Sequence, residues 1–188
     1  MKKLNLGLAV LAFGAASTAF ATPTGTIDFT GTLLDGTCAA TLGSTTNPGG
    51  DVTLPIMHIN TLNAKDQVAG DTPFIIKLTG AGCSATVGGA TKIATPYFEA
   101  DPTKVNAAGR LINADTSTDG AKNIDIQLLT ENKTKIDLNE PANTQITATG
   151  KDLGSNVTDF QYFARYYATD AAEKGKVAAS VSYSILYK

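Results

Sequence analysis

His58 is the single histidine of this 188-residue chain and sits in LPIMHIN. Imidazole is the side chain best suited to proton transfer and metal binding near neutral pH. Either role needs a partner base, a nucleophile or a second ligand, and none is near in sequence, so His58 reads as a structural or surface residue. Asp28, Asp35 and Asp51 are the next candidates, as a carboxylate set. Scattered beside Gly and Thr, they read as turn and strand-face residues. No GxSxG, HExxH, phosphate-loop or dinucleotide fingerprint occurs. The expectation is a protein without catalysis, cofactor or metal. Cys38 and Cys83 are the remaining reactive pair. In an exported chain two cysteines read as one disulfide. Closing a loop of about 45 residues, it stabilises by roughly 3–4 kcal/mol if unstrained.

Export is expected from the first 21 residues. Lys2 and Lys3 make a basic start, an apolar run follows, and Ala19-Phe20-Ala21 is an A-x-A cleavage site, the pattern of a secretory leader. The remaining 167 residues suit one domain. They hold 13 basic and 17 acidic side chains, a formal charge of −4, with no basic stripe to attract nucleic acid. Tryptophan is absent, and Gly, Thr, Ala and Ser abound.

Short apolar runs alternate with turn clusters such as Asn47-Pro48-Gly49-Gly50-Asp51 and Gly80-Ala81-Gly82. The runs cover residues 26–34, 52–56, 73–78, 92–98, 124–129, 160–167 and 177–187, a spacing that predicts an antiparallel sandwich or barrel. One helical turn is expected within residues 59–68, with Asn60 as its cap. The last run, VAASVSYSILYK, alternates strictly, with Val177, Ala179, Val181, Tyr183, Ile185 and Tyr187 in one phase. No later run in the sequence can pair with it, and an uncharged apolar edge of this kind is an aggregation hazard unless something covers it. At the other end, TPTGTIDFTGTLLDGTC carries Ile27, Phe29, Gly31 and Leu33 in one phase. Gly31 interrupts an otherwise bulky face, which suits a close approach of another backbone.

The pieces GTIDFTGTLLDGTC, TGAGC, PFIIKL, NIDIQLL, FQYFARYYAT and the final alternating strand stand in the order found in the pilin subunits of chaperone–usher fimbriae, which the chain resembles over essentially its whole mature length. Tyr187 is penultimate and Gly175 fourteenth from the end, as in that family. The resemblance implies an all-β fold: an incomplete immunoglobulin-like sandwich, completed by a donor strand from a neighbouring subunit. It implies a signal peptide over residues 1–21, a donor-strand extension over 22–36 and a pilin domain over 37–188. Ile27, Phe29, Gly31 and Leu33 would be the donor face, with Gly31 entering a tight pocket. Gly175, Val177, Ala179, Val181, Tyr183, Ile185 and Tyr187 would flank the acceptor groove and bind the chaperone, while Arg165-Tyr166-Tyr167 would be strand packing. Implied partners are identical or related pilin subunits, a periplasmic chaperone, an outer-membrane usher and possibly a tip adhesin. The implied location is an extracellular fimbria reached through the periplasm. The major shaft subunit is the first reading; a minor or adaptor subunit, or a self-contained exported carbohydrate-binding adhesin domain, is the alternative. A two-domain tip adhesin needs a receptor domain that the 16 residues before Cys38 cannot hold.

Overall fold

A strand with one apolar face must lay that face on another sheet. A computed structural model describes residues 38–43, 49–80, 83, 86–87, 90–145, 150–153 and 157–188, all within one compact unit, Leu34–Lys188. The strands are β1 (Ala39–Leu42), β2 (Val68–Thr79), β3 (Thr86–Val87), β4 (Ala90–Thr91), β5 (Ile93–Phe98), β6 (Leu111–Ile112), β7 (Lys122–Thr130), β8 (Lys151–Asp152), β9 (Val157–Glu173) and β10 (Tyr183–Tyr187). One sheet has the order β1-β2-β9-β7-β6 and the other β10-β5-β8, with β3 and β4 as a separate pair. Each ladder between these strands is antiparallel.

The core lies between the two sheets. From β9, Phe160, Tyr162 and Ala164 point inward at period two, while Asp159 and Gln161 stay exposed. Tyr162 stacks on Phe74 of β2 at 5.6 Å and meets the edge of Phe98 of β5 at 5.1 Å, which ties the sheets together. Ile76, Leu78, Leu128 and Leu153 close around them. Burial pushes the ionisation of the Tyr162 hydroxyl well above the ordinary tyrosine range.

The outward face of β7 is also covered, although its residues are polar. Asp125 accepts from Arg110 Nε at 2.9 Å and from Asn106 Nδ2 at 2.7 Å. Arg110 stacks 3.9 Å from the centre of the Tyr167 ring, and the Tyr167 hydroxyl donates to Asp66. Arg165 donates twice to Gln127 Oε1. These buried polar groups are thus paired across β7 and β9. FARYYAT accordingly divides between the two faces: Tyr166 packs against the core, and Arg165 and Tyr167 serve this network.

Three local expectations are corrected. The helical turn covers Ile59–Leu62 as a 3-10 helix, and its cap is His58, whose Nδ1 accepts from Asn60 N–H. Asn60 therefore supplies the donor, not the cap. The turn ends at Leu62 with Asn63 as its C-cap, and β2 begins at Val68. Residues 52–56 are extended without joining a ladder. In the last run, only Tyr183–Tyr187 pairs as a strand, with β5. Residues 177–182 are extended, but Ala178 spends its N–H on Asn113 Oδ1 and its carbonyl on Ala114 N–H, so contacts with a loop replace a ladder.

Two substitutions test this framework. Gln145 is buried and stands in for a strand partner: its Oε1 accepts from Phe98 N–H at 2.9 Å, and its Nε2 donates to Phe98 carbonyl at 2.7 Å. Gln145→Leu strands both groups and is expected to lower stability by about 2–4 kcal/mol, read as a shift of the urea midpoint at unchanged slope. Gly175 lies against backbone, and a Cβ there would stand 2.3 Å from Ala121 N and 2.5 Å from Asp119 O. Gly175→Ala is expected to cost about 1–3 kcal/mol, read the same way.

Candidate functional site

Along one side the sandwich is open. A groove of about 550 Å³ reaches down to core residues of both sheets. Its floor is made by Phe74 and Ile76 of β2, Phe98 of β5, Ile126 and Leu128 of β7, and Ala164 and Tyr166 of β9. One wall is the extended segment 49–54, and the other is the run from Val177 to Val181, with Tyr183 beyond it. Past Tyr166 and Val177, which line both, a second cavity of about 350 Å³ continues between Ile56, Ile59 and Leu62 on one side and Ala172 and Gly175 on the other. Among the described residues, Asp51 is the one charged side chain on the main groove. Burial pushes the Tyr166 and Tyr183 hydroxyls up from their ordinary values.

The walls carry unspent main-chain groups. In an extended chain, successive residues aim their N–H and C=O to opposite sides. Lys176, Ala178 and Ser182 use theirs away from the groove, on Asp119 and Ala121, on Asn113 and Ala114, and on Glu99. The backbone groups of Val177, Ala179 and Val181 have no hydrogen-bond partner among the described residues. The same holds for the backbone of residues 49–54 in the facing wall. Two free edges above an apolar floor fit an extended peptide, which can satisfy both edges and lay alternate side chains on the floor. No nucleophile–base pair lines the groove, and no cluster of three potential metal ligands occurs among the described residues.

The anticipated residues divide. Val177, Ala179, Val181 and Tyr183 line the main groove. Gly175 borders the second cavity and packs on residues 119–121. Ile185 and Tyr187 lie beyond the groove in β10, packed on the core, and the Tyr187 hydroxyl accepts the N–H of Cys38 at 3.1 Å. Cys38 and Cys83 are joined as a disulfide. Ile27, Phe29, Gly31 and Leu33 lie outside the described residues, as do Asp28 and Asp35. Asp51 and His58 are exposed and stand apart from any acid–base partner. The wall at 49–54 was missed as part of a site. Its signal was present in Val52 and Leu54, alternating with Thr53 behind Gly49-Gly50. Gly70 holds this wall close: a Cβ there would meet Pro55 at 3.3 Å and the Tyr166 ring at 3.1 Å, and its φ is +77°.

The chain is similar to fimbrial proteins. The F17 fimbrial protein of Escherichia coli is 36% identical over 100% of both chains. The major fimbrial subunit SMF-1 of Stenotrophomonas maltophilia is 40% identical over 87% of this chain and 92% of its own. A subunit in the solved structure of a chaperone–usher pilus superposes with a TM-score of 0.59 at 15% identity, covering 92% of this chain and 100% of that one, which shows the shared fold. The family model for fimbrial protein matches residues 27–188, and the chain belongs to that family.

Proposed function

We propose that this chain is the shaft subunit of an adhesive surface fimbria and that its groove receives residues 24–34 of a neighbouring copy as the missing strand. One observation carries the reading: two walls with unpartnered backbone groups face each other across an apolar floor. A small-molecule site needs a few polar side chains aimed inward. This groove instead offers main-chain edges and an apolar floor. The extension matches it in kind, because Ile27, Phe29 and Leu33 fall in one phase and can lie on the floor while the intervening Asp28, Thr30 and Thr32 face out. Gly31 fits a point of close approach. Before assembly a periplasmic chaperone would cover the groove, and an outer-membrane usher would pass the subunit to the growing end.

Energetics favour permanence over fast exchange. Ordering the extension offsets much of what its three large side chains contribute. The remainder comes from the covered floor and from bonds along both walls. Withdrawing a strand breaks these together, so the lifetime of the polymer is set by a slow extraction step.

The deciding measurement is a thermal melt of the chain from residue 37 onward, with and without a synthetic peptide of residues 22–36. A saturable rise in melting temperature is expected. A chain already stable and indifferent to the peptide would overturn the reading. Gly31→Leu in the full chain is expected to abolish polymerisation while leaving the melting of the monomer domain within about 0.5 kcal/mol of wild type, since the change lies outside the domain. Wild-type polymerisation of that variant would count against Gly31 as a point of close approach.

A further inference from the structure

We infer that consecutive copies touch a second time, pole to pole, with Ile56 and Ile59 of one copy against Ile93 of the next. The inference rests on the groove reading above. Ile56 is 102% exposed, Ile59 42% and Ile93 36%. A lone exposed isoleucine is ordinary on a protein surface. Ile56 and Ile59 are not alone, however, because with Met57 and Leu62 they form the apolar side of the second cavity, whose far side also carries Glu173, Lys174 and Lys176.

The poles follow from the strands. β2 starts at Val68, near the 3-10 turn that carries Ile59, and ends at Thr79, paired with Ala39 beside Cys38. Ile56 and Ile59 therefore mark one end of the sandwich and Cys38 the other. Ile93 belongs to the Cys38 end: its N–H and C=O both pair with Lys188, next to Tyr187, whose hydroxyl takes the N–H of Cys38.

Chain length brings these poles together in the polymer. Each ladder between the strands is antiparallel, and an inserted strand antiparallel to residues 177–187 runs toward Gly175. Its Leu33 then stands near the second cavity, with four residues left before Cys38 of its own copy. The five steps from Leu33 to Cys38 span at most about 17 Å. The Cys38 pole of the donor copy is thus delivered beside the Ile56 and Ile59 pole of the acceptor, and Ile93 is the exposed large apolar side chain it brings. The contact joins two different surfaces of one chain, so it repeats along an open fibre.

Persistence length of fibres in electron micrographs, together with hydrogen exchange, tests the contact. Fibres would be assembled from the full chain as wild type, as the double variant Ile56→Asp/Ile59→Asp, as Ile93→Asp, and as Gln161→Asp, an exposed residue paired with Ile75 in the middle of β2 and so between the poles. Exchange at Val177, Ala179 and Val181 amides reads the groove independently of the poles. The expected result is wild-type amide protection throughout, with persistence length reduced at least twofold by the two pole variants and unchanged in Gln161→Asp. Wild-type stiffness in the pole variants overturns the contact. Lost amide protection in them also overturns it, because Ile56 and Ile59 would then belong to the groove itself. Unprotected amides in wild-type fibres would show that the groove reading has failed, and the contact falls with it.

Discussion

Everything in this fold depends on an edge whose main chain is half spent. Residues 176, 178 and 182 commit backbone groups to the 113–121 loop and to Glu99 just after β5, which ties down the run from Val177 to Val181. Its alternate residues, 177, 179 and 181, are left with groups aimed across the groove. An extended edge with unpartnered main-chain groups is a template for another strand, and an apolar floor favours one that brings apolar side chains. A chain free to relax would close the gap by collapsing one wall onto the floor. Here the wall is pinned from outside, so the gap stays open and its shape is kept for an external strand.

The pins are distributed over the whole length of the wall. At one end Gly175 sits against the backbone of residues 119–121, where no side chain fits. At the other, Tyr187 takes the N–H of Cys38, and the disulfide to Cys83 fixes that residue in turn. Below the floor, β7 is held by polar pairs on its outward face, Asp125 with Arg110 and Gln127 with Arg165. Replacing such pairs by apolar residues is often neutral for stability, so their contribution here is better seen as register: they bond β7 to β9 and the β6 side at defined positions. The facing wall depends on shape alone, with Pro55 drawn against Gly70 and Tyr166.

Much of this was legible in the sequence, and the limits have physical causes. The period-two runs found β9 and β10 because each has one face on the core, as Phe160, Tyr162 and Ala164 do. The apolar run at 124–129 found β7 but could not show that Asp125 and Gln127 within it are buried, since their partners Arg110 and Arg165 are 15 and 38 residues away. The cap at His58 was read as Asn60 because the side chain that accepts depends on where the 3-10 turn starts. The strand-like run at 52–56 was seen, yet what makes it functional is the absence of a neighbour on either side. Pairing is a property of distant segments, and no local pattern announces its lack. The alternation of residues 177–187 was seen as well, but not its division into a loop-bound wall and a true strand.

The separation of the two poles decides what the groove can build. Cys38, the first described residue, lies at the end of the sandwich opposite the second cavity. A groove filled by a neighbour's extension is therefore a head-to-tail contact between unlike surfaces, and such contacts close into rings only if the rotation per step happens to return. Otherwise each added copy presents a fresh groove, and growth has no intrinsic end. This places the control of assembly outside the groove. Whatever covers the apolar floor before a neighbour arrives sets when polymerisation starts, because a bare floor would attract any unpaired strand. The same half-spent edge that makes the monomer incomplete thus makes the polymer open-ended, and the rigid pins around it keep each joint alike.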